Sequence, residues 1–194
     1  MPPKITLIEH LETVDQNSSA DEEQISSLCN RIREKMRDCG YTGLWKNYKA
    51  RGKAKLRVRK EAQALVREYV EMILETQDYR CTHWLEVREG ELNGVWNRPN
   101  PGYVGWKRED IIYEIAHVVP ANAGGLDDLT NYQFLSSNAN QFTKCALSYE
   151  DLLRRIDLSD SLKNRIRDVL DRREKLFSSD KWEHYIKRLT EFEQ

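Results

Sequence analysis

A chain of 194 residues, 39% hydrophobic and 32% charged, suits one domain of ordinary size, or a small domain with helical additions, around a lean core. Its apolar runs are far too short to span a bilayer and no leader-like stretch opens it, so a cytoplasmic protein without a membrane partner is expected. A formal charge of −1 would argue against nucleic acid, but residues 44–60, "LWKNYKARGKAKLRVRK", hold eight Lys/Arg and no acid.

Residues 1–20 read as a leader strand or loose arm with a polar link. From Asp21, the spacing of Ile25, Leu28, Ile32 and Met36 predicts a helix that Gly40 stops. A longer helix is predicted over 54–77, with Leu65, Val66, Tyr69, Val70, Ile73 and Leu74 on its buried face. Its start is basic and its later turns acidic, opposite to what the helix dipole favours. Residues 78–112 are rich in Pro, Gly, Asn and Trp and read as irregular strands and loops. "IIYEIAHVV" reads as a short β-branched strand and "PANAGGLDDLT" as a loop. A short helix is then expected from Leu129 to about Cys145.

The tail reads as helical. Ser148 and Asp151 form a capping-box pattern, Ser159 or Asp160 is the next N-cap candidate, and Asp180 the last. Its Arg-rich stretches are balanced by acids and read as exposed, ion-paired faces, while its apolar faces could form a homodimer. Three regions follow: a helical 1–77 with the basic segment 44–60, a core over 78–146, and a helical 147–194. The fold class is α+β, with a small β-containing centre between N-terminal and C-terminal helices. Cys29, Cys39, Cys81 and Cys145 form no CxxC pair, so structural zinc is not expected; a set of Cys81, His83 and Cys145 lacks a fourth ligand, and buried thiols are the plainer reading.

Chemistry concentrates in "YEIAHVVPANAGGLDDLTNYQFLSSNANQFTK". His117 ends a strand and its imidazole can take a proton from water near neutral pH. Asn131 follows fourteen residues later and Asn140 nine after that. Asparagine oxygens are hard, neutral ligands suited to Mg²⁺, and three asparagines (Asn131, Asn138, Asn140) crowd a segment read as helix, for which asparagine is a poor former. Taken singly, each has a plain structural use: a strand-end histidine packs, Asn131 caps a turn, and the others lie on the surface.

Together, Glu114, His117, Pro120, Gly124, Gly125, Asp127 or Asp128, Asn131, Leu135 and Asn140 resemble the motif of the HNH, or ββα-metal (His-Me finger), endonucleases over roughly residues 79–145. The resemblance implies a central ββα-metal motif between the flanking helices, one Mg²⁺ or Mn²⁺ ion per site, and hydrolysis of phosphodiester bonds in double-stranded DNA, in a restriction- or phage-type setting. His117 would be the general base. Asn131 would hold the metal or orient the histidine-bearing loop. Asn140 would bind metal or position phosphate, and Lys144 would contact phosphate. Lys46, Lys49, Arg51, Lys53, Lys55, Arg57, Arg59 and Lys60 would line a DNA groove.

Ala116 departs from this pattern, because many family members place an Asp metal ligand there. Either the metal depends chiefly on Asn131, or Glu114 or an Asp of the 127–128 pair supplies the carboxylate, or Ala116 inactivates the site. In the last case the chain is a catalytically impaired, nuclease-fold DNA-binding protein. The zinc-knuckle cysteines of many family members are also missing, which leaves Trp84, Trp96 and Trp106 as expected apolar filling.

Overall fold

The computed structural model describes residues 20–44, 52–79, 113–136, 140, 147–154 and 160–193. Helix α1 spans Glu22–Asp38 and begins in a capping box: Gln24 N–H donates to Asp21 Oδ1 (2.8 Å) and Asp21 N–H to Gln24 Oε1 (3.0 Å). Its buried residues are Ile25, Leu28, Ile32 and Met36, the four the periodicity selects. It ends at Gly40, whose φ of 97° suits glycine, with the Tyr41 N–H on the Met36 carbonyl and the Gly40 N–H on that of Arg37, a Schellman closure.

Helix α2 spans Gly52–Thr76, and its face from Ala62 through Leu65, Val66, Tyr69, Val70 and Ile73 is buried. Among its described side chains before Ala62, none is buried. The basic first turns therefore overhang the packed body. Next come strand β1 (Tyr113–His117), a short 3₁₀ turn at Ala121–Ala123, and strand β2 (Tyr132–Ser136). The strands pair antiparallel, with His117 opposite Tyr132 and Tyr113 opposite Ser136.

Strand β2 corrects the expected helix from Leu129. The segment Tyr132–Ser136 carries two aromatic residues, prefers a pleated surface, and finds both neighbours a strand needs. One is β1. The other is the buried Gln77 just beyond α2, whose Nε2–H donates to the Phe134 carbonyl (2.5 Å) while its Oε1 accepts the Phe134 N–H (3.0 Å). That amide acts as a one-residue strand on the open edge of β2.

Helix α3 (Tyr149–Arg154) starts with the expected Ser148–Asp151 box: Asp151 N–H donates to Ser148 Oγ (3.1 Å) and Ser148 N–H to Asp151 Oδ2 (3.0 Å). Helix α4 spans Asp160–Phe177 and α5 spans Asp180–Glu193. The cap of α5 is Ser179 rather than Asp180, since Ser179 Oγ accepts the Trp182 N–H (3.3 Å) and Asp180 is already helical.

Helix α1 packs on α2 and β1, while α2 also meets β2, α4 and α5. The result is a mixed α+β fold, mostly helical, with one two-stranded sheet among the described residues. Trp182, Tyr185 and Leu189 of α5 close the core against α2, where Tyr185 donates to the Leu65 carbonyl (3.1 Å). The apolar face of α5 is thus covered within the chain. Trp84, Trp96 and Trp106, together with Cys81, His83 and Cys145, lie outside the described residues.

Ion pairs do mark the outer tail faces, as in Lys175–Asp171 (2.7 Å). Arg173 is the exception to that expectation. It is only 4% exposed, lies over the Phe177 ring, and donates to the Thr130 carbonyl (2.6 Å). Among the described residues, no helix is long and apolar enough to cross a membrane.

Candidate active site

The loop between the strands is held shut by Asn131. Its Oδ1 accepts the Val119 N–H (2.8 Å), and its Nδ2 donates to the carbonyls of Val119 (3.0 Å) and Leu126 (2.8 Å). The Val118 N–H adds a backbone bond to the Asn131 carbonyl (2.7 Å). Of the two expected roles of Asn131, this geometry builds the orienting one, because its side-chain oxygen already serves the loop.

Both glycines of the Gly-Gly pair are needed for the same closure. Gly124 takes a left-handed φ of 87°, and a Cβ on Gly125 would lie 1.8 Å from the Val119 carbonyl oxygen. Asp128 shapes the next turn, its Oδ1 accepting the Thr130 N–H (2.7 Å) and hydroxyl (2.6 Å).

His117 stands at the end of β1 with 26% of its side chain exposed, and its Nε2 lies 2.9 Å from Asp127 Oδ1. The same oxygen accepts the Tyr132 hydroxyl (2.9 Å), and Lys35 Nζ approaches it at 3.8 Å. The His117 and Tyr132 rings are 5.2 Å apart, as their cross-strand register requires. The hydrogen bonds from His117 and then Tyr132, with Lys35 nearby, hold the Asp127 carboxyl below the usual carboxylate range. Burial pushes the Tyr132 phenol up, so it stays a donor. Cys39 closes the other side, its thiol on the Asp127 carbonyl (3.3 Å), and burial pushes that thiol up too.

Strand alternation places Ala116 and Glu114 on the face opposite His117. Ala116 is buried and offers no donor atom to a metal. Asn140 lies beside Glu114, with its Nδ2 donating to Glu114 Oε2 (2.9 Å). The carboxylate and the amide oxygen of this pair are two hard donors that suit Mg²⁺ completed by water and phosphate, which the engaged Asn131 does not. Among the described residues, no group of three or more His, Cys, Asp or Glu side chains gathers as a metal would need.

Lys53, Lys55, Arg57, Arg59 and Lys60 are exposed on the overhang of α2, with Leu56 55% exposed among them. Lys46, Lys49, Arg51 and Lys144 lie outside the described residues. Sequence reasoning missed Tyr132, Lys35 and Cys39, and it weighed Asp127 only as a metal carboxylate. Comparison with protein-family models, curated proteins and solved structures returns no match to this chain.

Proposed function

We propose that this chain is a divalent-metal-dependent DNA endonuclease of the HNH type, its ββα-metal motif formed by β1, the 118–131 loop, β2 and the segment bearing Asn140. The observation that carries the reading is His117: a partly exposed imidazole at the end of β1, bonded to a carboxylate on a loop that Asn131 clamps. A base held in place in this way can take the proton of a water that attacks phosphorus, and its neighbouring carboxylate stabilises the imidazolium that results. Mg²⁺ or Mn²⁺ at the site would supply charge stabilisation at the phosphate.

Double-stranded DNA is held by the overhang of α2. Tyr69, whose hydroxyl reaches the Leu129 carbonyl, marks where α2 passes the site loop. Lys60 lies nine residues before it and Lys53 sixteen. At 1.5 Å per residue that places the cations roughly 13–24 Å along the helix from the site, or about four to seven base pairs of duplex.

Ala116 favours one alternative, a nuclease-derived DNA-binding protein with impaired cleavage. Nicking of supercoiled plasmid with Mg²⁺ or Mn²⁺ separates the two. The nuclease reading expects nicking by the native chain that His117→Ala abolishes. Nicking only by Ala116→Asp, checked for folding by circular dichroism, favours the impaired protein. Nicking that survives His117→Ala overturns the assignment of the base.

A further inference from the structure

A neutral imidazole carries its proton on one of two nitrogens, and only the other can accept a second. Which nitrogen works is therefore decided by whatever the ring is bonded to. At His117, Asp127 Oδ1 lies 2.9 Å from Nε2. That oxygen also receives the Tyr132 hydroxyl and faces Lys35, while the backbone of Asp127 is pinned through its carbonyl by Cys39. Every charged or hydroxyl neighbour of the Asp127 oxygen favours the ionised carboxylate, which accepts hydrogen bonds and donates none.

We propose that Asp127 is a positioning residue that holds neutral His117 in the Nε2–H tautomer, making Nδ1 the nitrogen that takes the proton from water. The catalytic part of this assignment rests on the nuclease reading; the tautomer does not. Asp127 reaches the ring because Gly124 and Gly125 bring the loop back against Val119, so the glycine pair, the Asn131 clamp and the tautomer form one arrangement. The motif's aspartate then acts through hydrogen bonding to the base rather than as a ligand to metal.

The test is long-range ¹H–¹⁵N correlation spectroscopy of the uniformly labelled full chain at alkaline pH, with the His117 ring signals identified by their loss in His117→Gln. The expected native spectrum shows Nε2 at a pyrrole-like shift and Nδ1 at the shift of an unprotonated nitrogen. In Asp127→Ala the two shifts move toward each other as the tautomers mix. Should that variant fail to fold, Asp127→Leu, which fills the place and offers no acceptor, is read in the same way.

A native ring protonated at Nδ1 overturns the proposal, as does an Nε2–H ring indifferent to both Asp127 variants. In plasmid nicking, Asp127→Asn is expected to lower kcat tenfold or more with KM little changed. Failure of the native chain to nick DNA would remove the nuclease reading and leave the tautomer to be decided by the spectrum alone.

Discussion

Replacing Asn131 by aspartate exchanges one amide nitrogen for oxygen and leaves the shape unchanged. As a metal ligand, residue 131 would gain by the exchange, since a carboxylate holds Mg²⁺ at least as well as an amide does. As a clamp it would fail, because Nδ2 donates to the carbonyls of Val119 at 3.0 Å and Leu126 at 2.8 Å, and an oxygen there would face two oxygens. Each lost bond costs about 0.5–1.5 kcal/mol net, and the charge set against two carbonyls adds to that. Allowing for the partial exposure of the loop, Asn131→Asp should lose about 2–3 kcal/mol. For a chain of this size that corresponds to a fall in Tm of roughly 5–10 °C. Thermal unfolding followed by far-UV circular dichroism, with and without Mg²⁺, reads the effect. An Asn131→Asp protein that melts like the native one and is further stabilised by Mg²⁺ would refute the clamp and return residue 131 to the metal.

Gly125→Ala places a methyl group 1.8 Å from the Val119 oxygen, so the loop must open, and a destabilisation of about 3 kcal/mol or more is expected in urea unfolding. Gly124→Ala, strained in φ but with open space around it, should lose only about 1 kcal/mol, and the ordering of the two variants is the check. The depressed pKa of Asp127 also has a sign in stability. Its contribution is present above the unfolded value of roughly 3.9 and is lost as pH falls through the lower folded value. The gap in urea midpoint between native chain and Asp127→Asn should therefore be open at pH 6 and close as pH falls below the unfolded carboxylate value of roughly 3.9.

The local signals in the sequence were those a single side chain or turn can satisfy. Asp21 with Gln24, Gly40, and Ser148 with Asp151 each act within a few residues, and each forms as read. The same holds for the four-residue stripe of α1. Strand β2 was not legible, because five residues between a turn and an asparagine-rich segment have no decisive period. Its identity depends on β1 and on the Gln77 amide, 57 residues away. The motif spacing located the stretch that carries His117 and Asn131, but it could not say that Asp127 would face the imidazole, or that Arg173 would leave the tail surface for the underside of the loop. Both facts follow from tertiary packing.

That packing bears on why the loop is where it is. The carbonyls of Leu126, Asp127, Leu129 and Thr130 each accept a hydrogen bond from a different side chain: Asn131 at the head of β2, Cys39 after α1, Tyr69 of α2 and Arg173 of α4. Arg173 is a poor investment in stability alone. Burial pulls its pKa down, and its Nη1 is buried with no hydrogen-bond partner among the described residues. An apolar side chain of similar volume would fill such a place as well or better. What the guanidinium does that an apolar group cannot is hold the Thr130 carbonyl, one residue before the Asn131 clamp and three after Asp127. A core this lean therefore commits four buried or half-buried polar side chains, from three helical regions and the strand, to fixing a single turn. On the proposed nuclease reading such a commitment is understandable, because the turn carries Asp127 and through it bears on the imidazole of His117.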